Sequence, residues 1–427
     1  MAIKRTTVIV GAGAVLDFDF SYEGAIIPST TEITKRIKEI KVSGLDVPES
    51  DIINAVYSWV NGTLNSACEK QEIKTHHHEI NFEELFFSLE ILLTQNNEYA
   101  SPSAIPMINT LEEIVPKLKK YPKIEIIRGL EAIIYHISKI VDNYDCHFNN
   151  HKESELWYRD FWQNDNWHKW DVFTFNYDTT IENSISEYED GFIQMSADEC
   201  FESFVPSKLI NNKRGLSTIQ HLHGCIYYAE SAPWTRRFTH GNRDMFKYHS
   251  VQECQQFIGL QWHEKNQALE EYINAPILIG LHKLDKMTFL PHSIYHANLV
   301  NKLQENSGLL IIGYSFGDLY VNQLLQKRIL MHGNNHRMII IESFPPYVDS
   351  IIDFYGYLTH HRPKLRGFLQ PFIDFSFDEH FNLRGVEFTS HSEPIYSLDH
   401  SCMILICGFK QSIVIHKELI RSFLEGK

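Results

Sequence analysis

Four short patches of the chain carry residue types that can do chemistry. They are Val8-Ile9-Val10-Gly11-Ala12-Gly13-Ala14, Thr174-Phe175-Asn176-Tyr177-Asp178, His221-Leu222-His223-Gly224 and Ile311-Ile312-Gly313-Tyr314-Ser315-Phe316-Gly317-Asp318. Glycine turns let backbone N–H groups approach an anion closely. An imidazole of ordinary pKa can exchange a proton near neutrality. A carboxamide such as that of Asn176 can orient a water or a hydroxyl. A serine between two glycines suits either ligand binding or nucleophilic attack.

Three of the four patches begin with, or follow, a run rich in apolar and β-branched residues, as a buried strand gives. Each puts small or polar residues where that strand ends. In an open parallel sheet the carboxyl ends of the strands form the ligand crevice. The expected architecture is therefore α/β, a Rossmann-like parallel sheet. Residues 5–14 read as a strand entering a glycine turn, and Ile33 to Ile40 as a helix begun at Pro28-Ser29-Thr30. From about 45 to 165 the pattern is a long helical insertion. Ile52, Val56, Trp59 and Val60 share a face, as do Phe82, Leu85, Phe86 and Leu89, and Leu130, Ile133, Ile134, Ile137 and Val141. The rings of Trp157, Tyr158, Phe161, Trp162, Trp167 and Trp170 read as packing of that insertion on the sheet, with a stacking surface as the alternative. Leu319 to Met331 reads as a helix and Met338 to Ile341 as a further strand. Pro345-Pro346 marks a boundary, after which residues 346–427 are expected to form a small C-terminal α+β domain serving assembly.

Composition narrows the function classes. The chain has 427 residues, 43% hydrophobic and 22% charged, enough to bury a large core. A net charge of −15 argues against a general nucleic-acid binder. The 7 cysteines lack a C-x-x-C pair, which fits reduced thiols and provides no zinc ribbon. Lys4-Arg5 before an apolar run resembles a leader, but Asp17 and Asp19 follow at once, so a first strand is expected. No apolar run approaches the roughly 20 residues of a membrane span. A cytoplasmic protein is the expectation. The run His76-His77-His78 is not read as a metal site, because consecutive residues do not converge on one point.

Each patch has a competing reading. The dinucleotide fingerprint G-x-G-x-x-G would need glycine where Leu16 stands, which disfavours a dehydrogenase. Gly313-x-Ser315-x-Gly317 matches the nucleophile elbow of α/β-hydrolases. There, however, Asp318 and Leu319 replace the small residues that open the elbow helix, and the acid and histidine must come from Asp378 and His380. Asp178 can close the strand as an Asx turn. Among 23 histidines, His223 stands out only through its companions.

Together the four patches, in this order, resemble the bacterial sirtuin-like NAD-cleaving domain family of anti-phage defence systems. Ile27-Pro28-Ser29 and Gly280-Leu281-His282-Lys283 through Pro291 and Tyr295 add smaller matches, and the resemblance spans roughly residues 5–345 of an expected sirtuin-like domain over 1–345. It implies an NAD hydrolase that releases nicotinamide and ADP-ribose, with NAD as substrate and no metal. By position, Asn176 and His223 correspond to the catalytic pair. Gly11, Ala12 and Gly13 match the phosphate turn, Asp178 the ribose- or nicotinamide-site Asp, and Gly313 with Ser315 the adenosine-side turn. The deacylating members carry two C-x-x-C pairs that this chain lacks, and the segment from Val15 to Phe20 departs from the family's serine-containing turn. The resemblance further implies a homo-oligomer, docked on a HerA-type ATPase. A serine hydrolase using Ser315 and a non-catalytic nucleotide-binding sensor subunit are the alternative readings.

Overall fold

The computed structural model describes residues 4–20, 27–39, 50–70, 80–95, 123–163, 168–197, 199–212, 215–229, 245–256, 259–265, 268–280, 283–373, 386–387, 389–397 and 399–426. The first strand, β1 (Lys4–Val10), is followed by helices α1 (Thr30–Lys38), α2 (Ser50–Lys70), α3 (Phe82–Gln95), α4 (Lys123–Asn150) and α5 (Leu156–Trp162). Next come β2 (His168–Thr174), β3 (Tyr188–Glu189), β4 (Phe192–Ile193), β5 (Phe201–Phe204), α6 (Pro206–Asn211), β6 (Ser217–His221), β7 (Tyr228–Ala229), β8 (Phe246–Tyr248) and α7 (Val251–Gln255). A hairpin of β9 (Gly259–Lys265) and β10 (Ala268–Asn274) leads to α8 (Lys283–Lys286), α9 (His292–Glu305), β11 (Gly308–Ile312), α10 (Leu319–His332) and β12 (Arg337–Ile341). The chain ends in α11 (Ile351–His361), α12 (Pro363–Leu369), β13 (Val386–Glu387), β14 (Ile395–Ser397), β15 (Cys402–Leu405) and α13 (Phe409–Glu425).

The main sheet has the order β13-β14-β15-β12-β11-β1-β2-β6-β3. From β15 to β3 the pairings are parallel, and β14 and β13 add an antiparallel edge. A strand covered on both faces must be apolar throughout. Val8, Ile9 and Val10 are accordingly all buried, as is every residue of β11. Side chains alternate between faces. Val8, Val10, Leu310 and Ile312 join the core with α2, α3, α4 and α13, whereas Ile9, Leu309 and Ile311 join α9, α10, α11 and α12. The helical insertion is thus one layer of a three-layer α/β/α fold. Its stripes through Leu85, Phe86, Leu89, Leu130, Ile133 and Ile134 are buried there.

Beyond Pro346, strands β13, β14 and β15 extend the main sheet past β12. β15 pairs in parallel with β12, and α13 covers β11 and β12, because the exposed edge of β12 needs a partner for its backbone groups. Lys4-Arg5 opens the sheet: Arg5 binds the buried Asp171 of β2 through two hydrogen bonds of 2.5 and 2.9 Å. The aromatic residues of α5 pack on one another, on Trp170 and on Phe409 of α13, the bland reading of that cluster. Trp167, His76-His77-His78, Leu281-His282, Asp378 and His380 lie outside the described residues.

Candidate functional site

Strand order reverses around β1: the chain runs from β1 to β2 on one side and returns to β11 on the other. Ligands bind at such switch points, beyond the carboxyl ends of the strands. Here the two glycine turns meet back to back. Gly11 N donates to Ile312 O at 2.9 Å and Gly13 N to Gly313 O at 3.0 Å. A Cβ on Gly11 would stand 2.5 Å from Gly313 O, and one on Gly313 would stand 2.4 Å from Gly13 Cα. Gly313 also has φ of +56°, the left-handed region. The sequence reading gave these glycines to phosphate approach, but their first demand is this backbone contact. Two of the turn's N–H groups are spent on protein, which leaves that of exposed Ala12 without a partner among the described residues.

β2 ends at Thr174, and the chain turns instead of running on extended. Asn176 and Asp178 therefore part. Asp178 is buried: its carboxylate accepts from Tyr144 Oη at 2.8 Å, Thr180 Oγ1 at 2.6 Å and Thr180 N at 3.1 Å. The Asx turn is formed, and it ties the insertion helix α4 to the sheet. Burial raises the Asp178 carboxyl above its usual range. Asn176 keeps its carboxamide free of protein partners among the described residues, while its backbone is fixed. Asn176 N donates to Thr174 Oγ1 at 3.0 Å, and Asn176 O lies 3.0 Å from His221 Nδ1. His221 Nε2 is in turn 2.5 Å from Glu182 Oε1. Against the penalty of burial, this pair raises the His221 imidazole and lowers the Glu182 carboxyl. His221 is thus a positioning residue behind Asn176.

His223 lies at the mouth of β6. Phe175 meets its ring edge-on at 4.5 Å between centroids and stacks on Tyr314 at 4.8 Å, so one side chain joins three of the four patches. His223 Nε2 is 3.4 Å from Asp318 Oδ2, and Lys283 Nζ is 3.7 Å from the same oxygen. The other Asp318 oxygen accepts from Val321 N at 3.1 Å, capping α10. Burial would raise the Asp318 carboxyl, but these donors hold it well below the usual range. Burial pushes the His223 imidazole down to about 4, and the Asp318 contact offsets this only in part. At neutral pH the ring is neutral: Nε2 carries the proton toward Asp318 and Nδ1 is the acceptor. Gly224, expected to admit a ligand, has φ of +85° and abuts Pro276 O, where a Cβ would sit at 2.2 Å.

Ser315 is exposed on the fourth turn, and its hydroxyl meets no histidine among the described residues. The left-handed residues of that turn are Gly313 and Phe316, not Ser315. The residue that does hold a histidine is Asp318, three positions on. Sequence reasoning placed Asp318 and Lys283 in motifs without giving either a role, and it missed Glu83 of α3. Burial raises the Glu83 carboxyl above its usual range, opposed by the charge of Lys283 and a hydrogen bond from Tyr177. No local pattern marks Glu83, because Tyr177 and Lys283 lie about one hundred and about two hundred residues further along the chain.

At the end of β12, buried Glu342 faces Arg362 Nη2 at 3.6 Å, yet burial still pushes its carboxyl up to about 7. A carboxyl raised in the folded state costs stability as pH climbs from its unfolded value near 4.5 through about 7. Glu342→Gln removes that cost. The melting temperature of this variant, relative to the natural protein, should therefore rise between pH 5 and pH 8. A difference that stays flat over this range would contradict the assignment.

The fold is α/β, and the four patches gather at a switch point of its parallel sheet. Residues 171–353 match the family model of the SIR2-like domain, which binds NAD. That stretch carries Asn176, His223, Gly313 and Asp318. No curated protein matches the chain. No described helix is long and apolar enough to cross a membrane.

Proposed function

We propose that this protein is an NAD hydrolase that cleaves the nicotinamide–ribose bond, giving nicotinamide and ADP-ribose. The observation that carries this reading is that Phe175, next to Asn176, packs against both His223, which pairs with Asp318, and Tyr314 of the glycine turn that interlocks with Gly11–Gly13, with all but that first turn inside the segment matched by the SIR2-like domain. Cleavage passes through an oxocarbenium-like ribosyl cation, so the site must hold ribose, release neutral nicotinamide and position a water. The free Asn176 carboxamide orients that water and contacts the ribose. His223 accepts a hydrogen bond from a ribose hydroxyl at Nδ1. Ala12, between Gly11 and Gly13, offers its N–H to the pyrophosphate. Gly313 and Ser315 lie toward the adenosine side, where α10 begins. Asp178 acts from beneath, by fixing the turn that carries Asn176. No step requires a metal, and no metal-holding group of three His, Cys, Asp or Glu is present among the described residues.

In the cell such an activity depletes NAD, and we place it in bacterial anti-phage defence in the cytoplasm. A cofactor-destroying enzyme must be restrained, which supports a homo-oligomer held by a partner such as a HerA-type ATPase. The primary test is incubation of the full chain with NAD, alone and with candidate partners, following nicotinamide. Release that survives exhaustive EDTA treatment is expected. Loss on chelation with recovery on adding zinc would refute the metal-free site. Binding of NAD without turnover would favour a sensor subunit, and esterase activity abolished by Ser315→Ala a serine hydrolase.

A further inference from the structure

The amino end of the sheet, away from the four patches, carries a second concavity. It is a cleft of about 770 Å³ beside the starts of β1, β11 and β12 and the last turn of α13. Such a volume is in the range of small-molecule sites. The length of β1 separates Lys4 at the cleft from Val10 at the crevice, on the order of 20 Å. On a chain of net charge −15, this cleft is lined by Lys4, Arg5, Arg337 and His332 against the carboxylates of Glu305 and Glu425. Both carboxylates are held by cations of their own helices. Glu305 Oε2 is 2.5 Å from Lys302 Nζ, and Glu425 Oε1 is 3.5 Å from Arg421 Nε. Arg5 is likewise spent on Asp171.

Two cations have no such counter-charge. Exposed Lys4 gives its ammonium to the backbone carbonyl of Glu425 at 2.8 Å. Arg328 of α10 is 2% exposed, and its Nη2 donates to the carbonyls of Asn306, at 3.1 Å, and Ser307. Arg328 Nε has no partner, and neither cation meets a carboxylate, among the described residues. Burial lowers this guanidinium to about 9, so it stays charged at neutral pH, and a buried unpaired charge is costly. Asn306 and Ser307 both line the cleft, which puts Arg328 directly behind its wall. A trans peptide turns its C=O and N–H in opposite directions. With the Asn306 carbonyl on Arg328, the Ser307 N–H points away from it and meets no acceptor among the described residues.

We propose that this cleft binds a phosphorylated ligand of nucleotide size, its phosphates met by Lys4, Arg337 and the Ser307 N–H and its base by Met331 and Leu424. The donor set suits phosphate oxygens: Arg337 offers a planar fork, Lys4 a point charge and Ser307 a backbone N–H. Arg328 acts through the wall as field and not as contact. A ligand with two or more negative charges compensates Lys4 and Arg328 at once. Met331 and Leu424 supply the apolar part of the lining, on opposite helices α10 and α13. None of these contacts depends on the NAD reading above.

The test is equilibrium dialysis of labelled ADP against the full chain, with inorganic phosphate and adenosine as competitors. We expect ADP to bind, phosphate to displace it only at higher concentration, and adenosine not to displace it from the cleft. Lys4→Glu and Met331→Glu each put a carboxylate at an exposed position of the lining, with urea midpoints as the folding check. Each should weaken one bound ADP per chain by about tenfold or more. ADP held in the crevice of the four patches is untouched by either change, so the number bound per chain separates the two places. ADP bound in the same number and with the same affinity by both variants overturns the proposal, as does a natural protein that binds none. Phosphate or adenosine as effective as ADP overturns the nucleotide assignment. If Lys4→Glu loosens β1, Met331→Glu decides alone.

Discussion

Alanine at Asn176 or at His223 should each lower the rate of nicotinamide release by about 10²–10⁴-fold, the usual range for a positioned polar or proton-transfer group. The fold should survive both changes. Among the described residues His223 makes its side-chain polar contact with Asp318, which retains Lys283 and the cap of α10. The Asn176 carboxamide has no protein partner to lose among the described residues. Ser315→Ala should act differently. The loss of one hydrogen bond, about 0.5–1.5 kcal/mol, raises KM several-fold to tenfold and keeps kcat. Single-turnover rates for the three variants, with circular dichroism as the folding check, decide the matter. A dead Ser315→Ala beside an active His223→Ala would remove the mechanism proposed here and restore the serine hydrolase.

The second large effect lies in the backbone. Gly313→Ala places a Cβ 2.4 Å from Gly13 Cα and 2.5 Å from Ala14 N, and φ of +56° adds left-handed strain. Neither neighbour is the end of a flexible side chain, so the turns must separate. We expect a loss of about 3 kcal/mol or more together with loss of NAD binding. Gly333→Ala is the control: φ there is +51°, with nothing within 4 Å of the new methyl. It carries the strain alone, about 1–2 kcal/mol. Urea midpoints for the two variants that coincide would show that the meeting of the turns is not what fixes Gly313.

The legible parts of the site were those with a local signature. β1 and β11 close in apolar runs that stop at glycine, β2 runs through Val172-Phe173 to the turn that carries Asn176, and β6, though mostly polar in sequence, ends at His221; each patch sits where its strand stops. The Asx turn at Asp178 was open to the same reading, because its acceptor and its donor are two residues apart. The charged partners were not legible. Asp318 looked like the start of a helix, which it is, and only its second oxygen reaches His223. Glu182 lies thirty-nine positions before the His221 it binds. The place of the C-terminal strands in the sheet was not legible for a related reason: strands of two to four residues carry no mark of which edge they will join.

By itself, the sequence determined the α/β class, the buried strands, the amphipathic faces of the insertion and the order of the four patches. These follow from periodicity and from turn chemistry, which act within a few residues. Tertiary structure alone decided that the two glycine turns interlock, that Phe175 joins three patches and that burial keeps His223 neutral. It also decided that Asp318 meets both His223 and Lys283. Those outcomes depend on which distant surfaces exclude water from one another, and the pKa of a buried group is set by the whole of that enclosure.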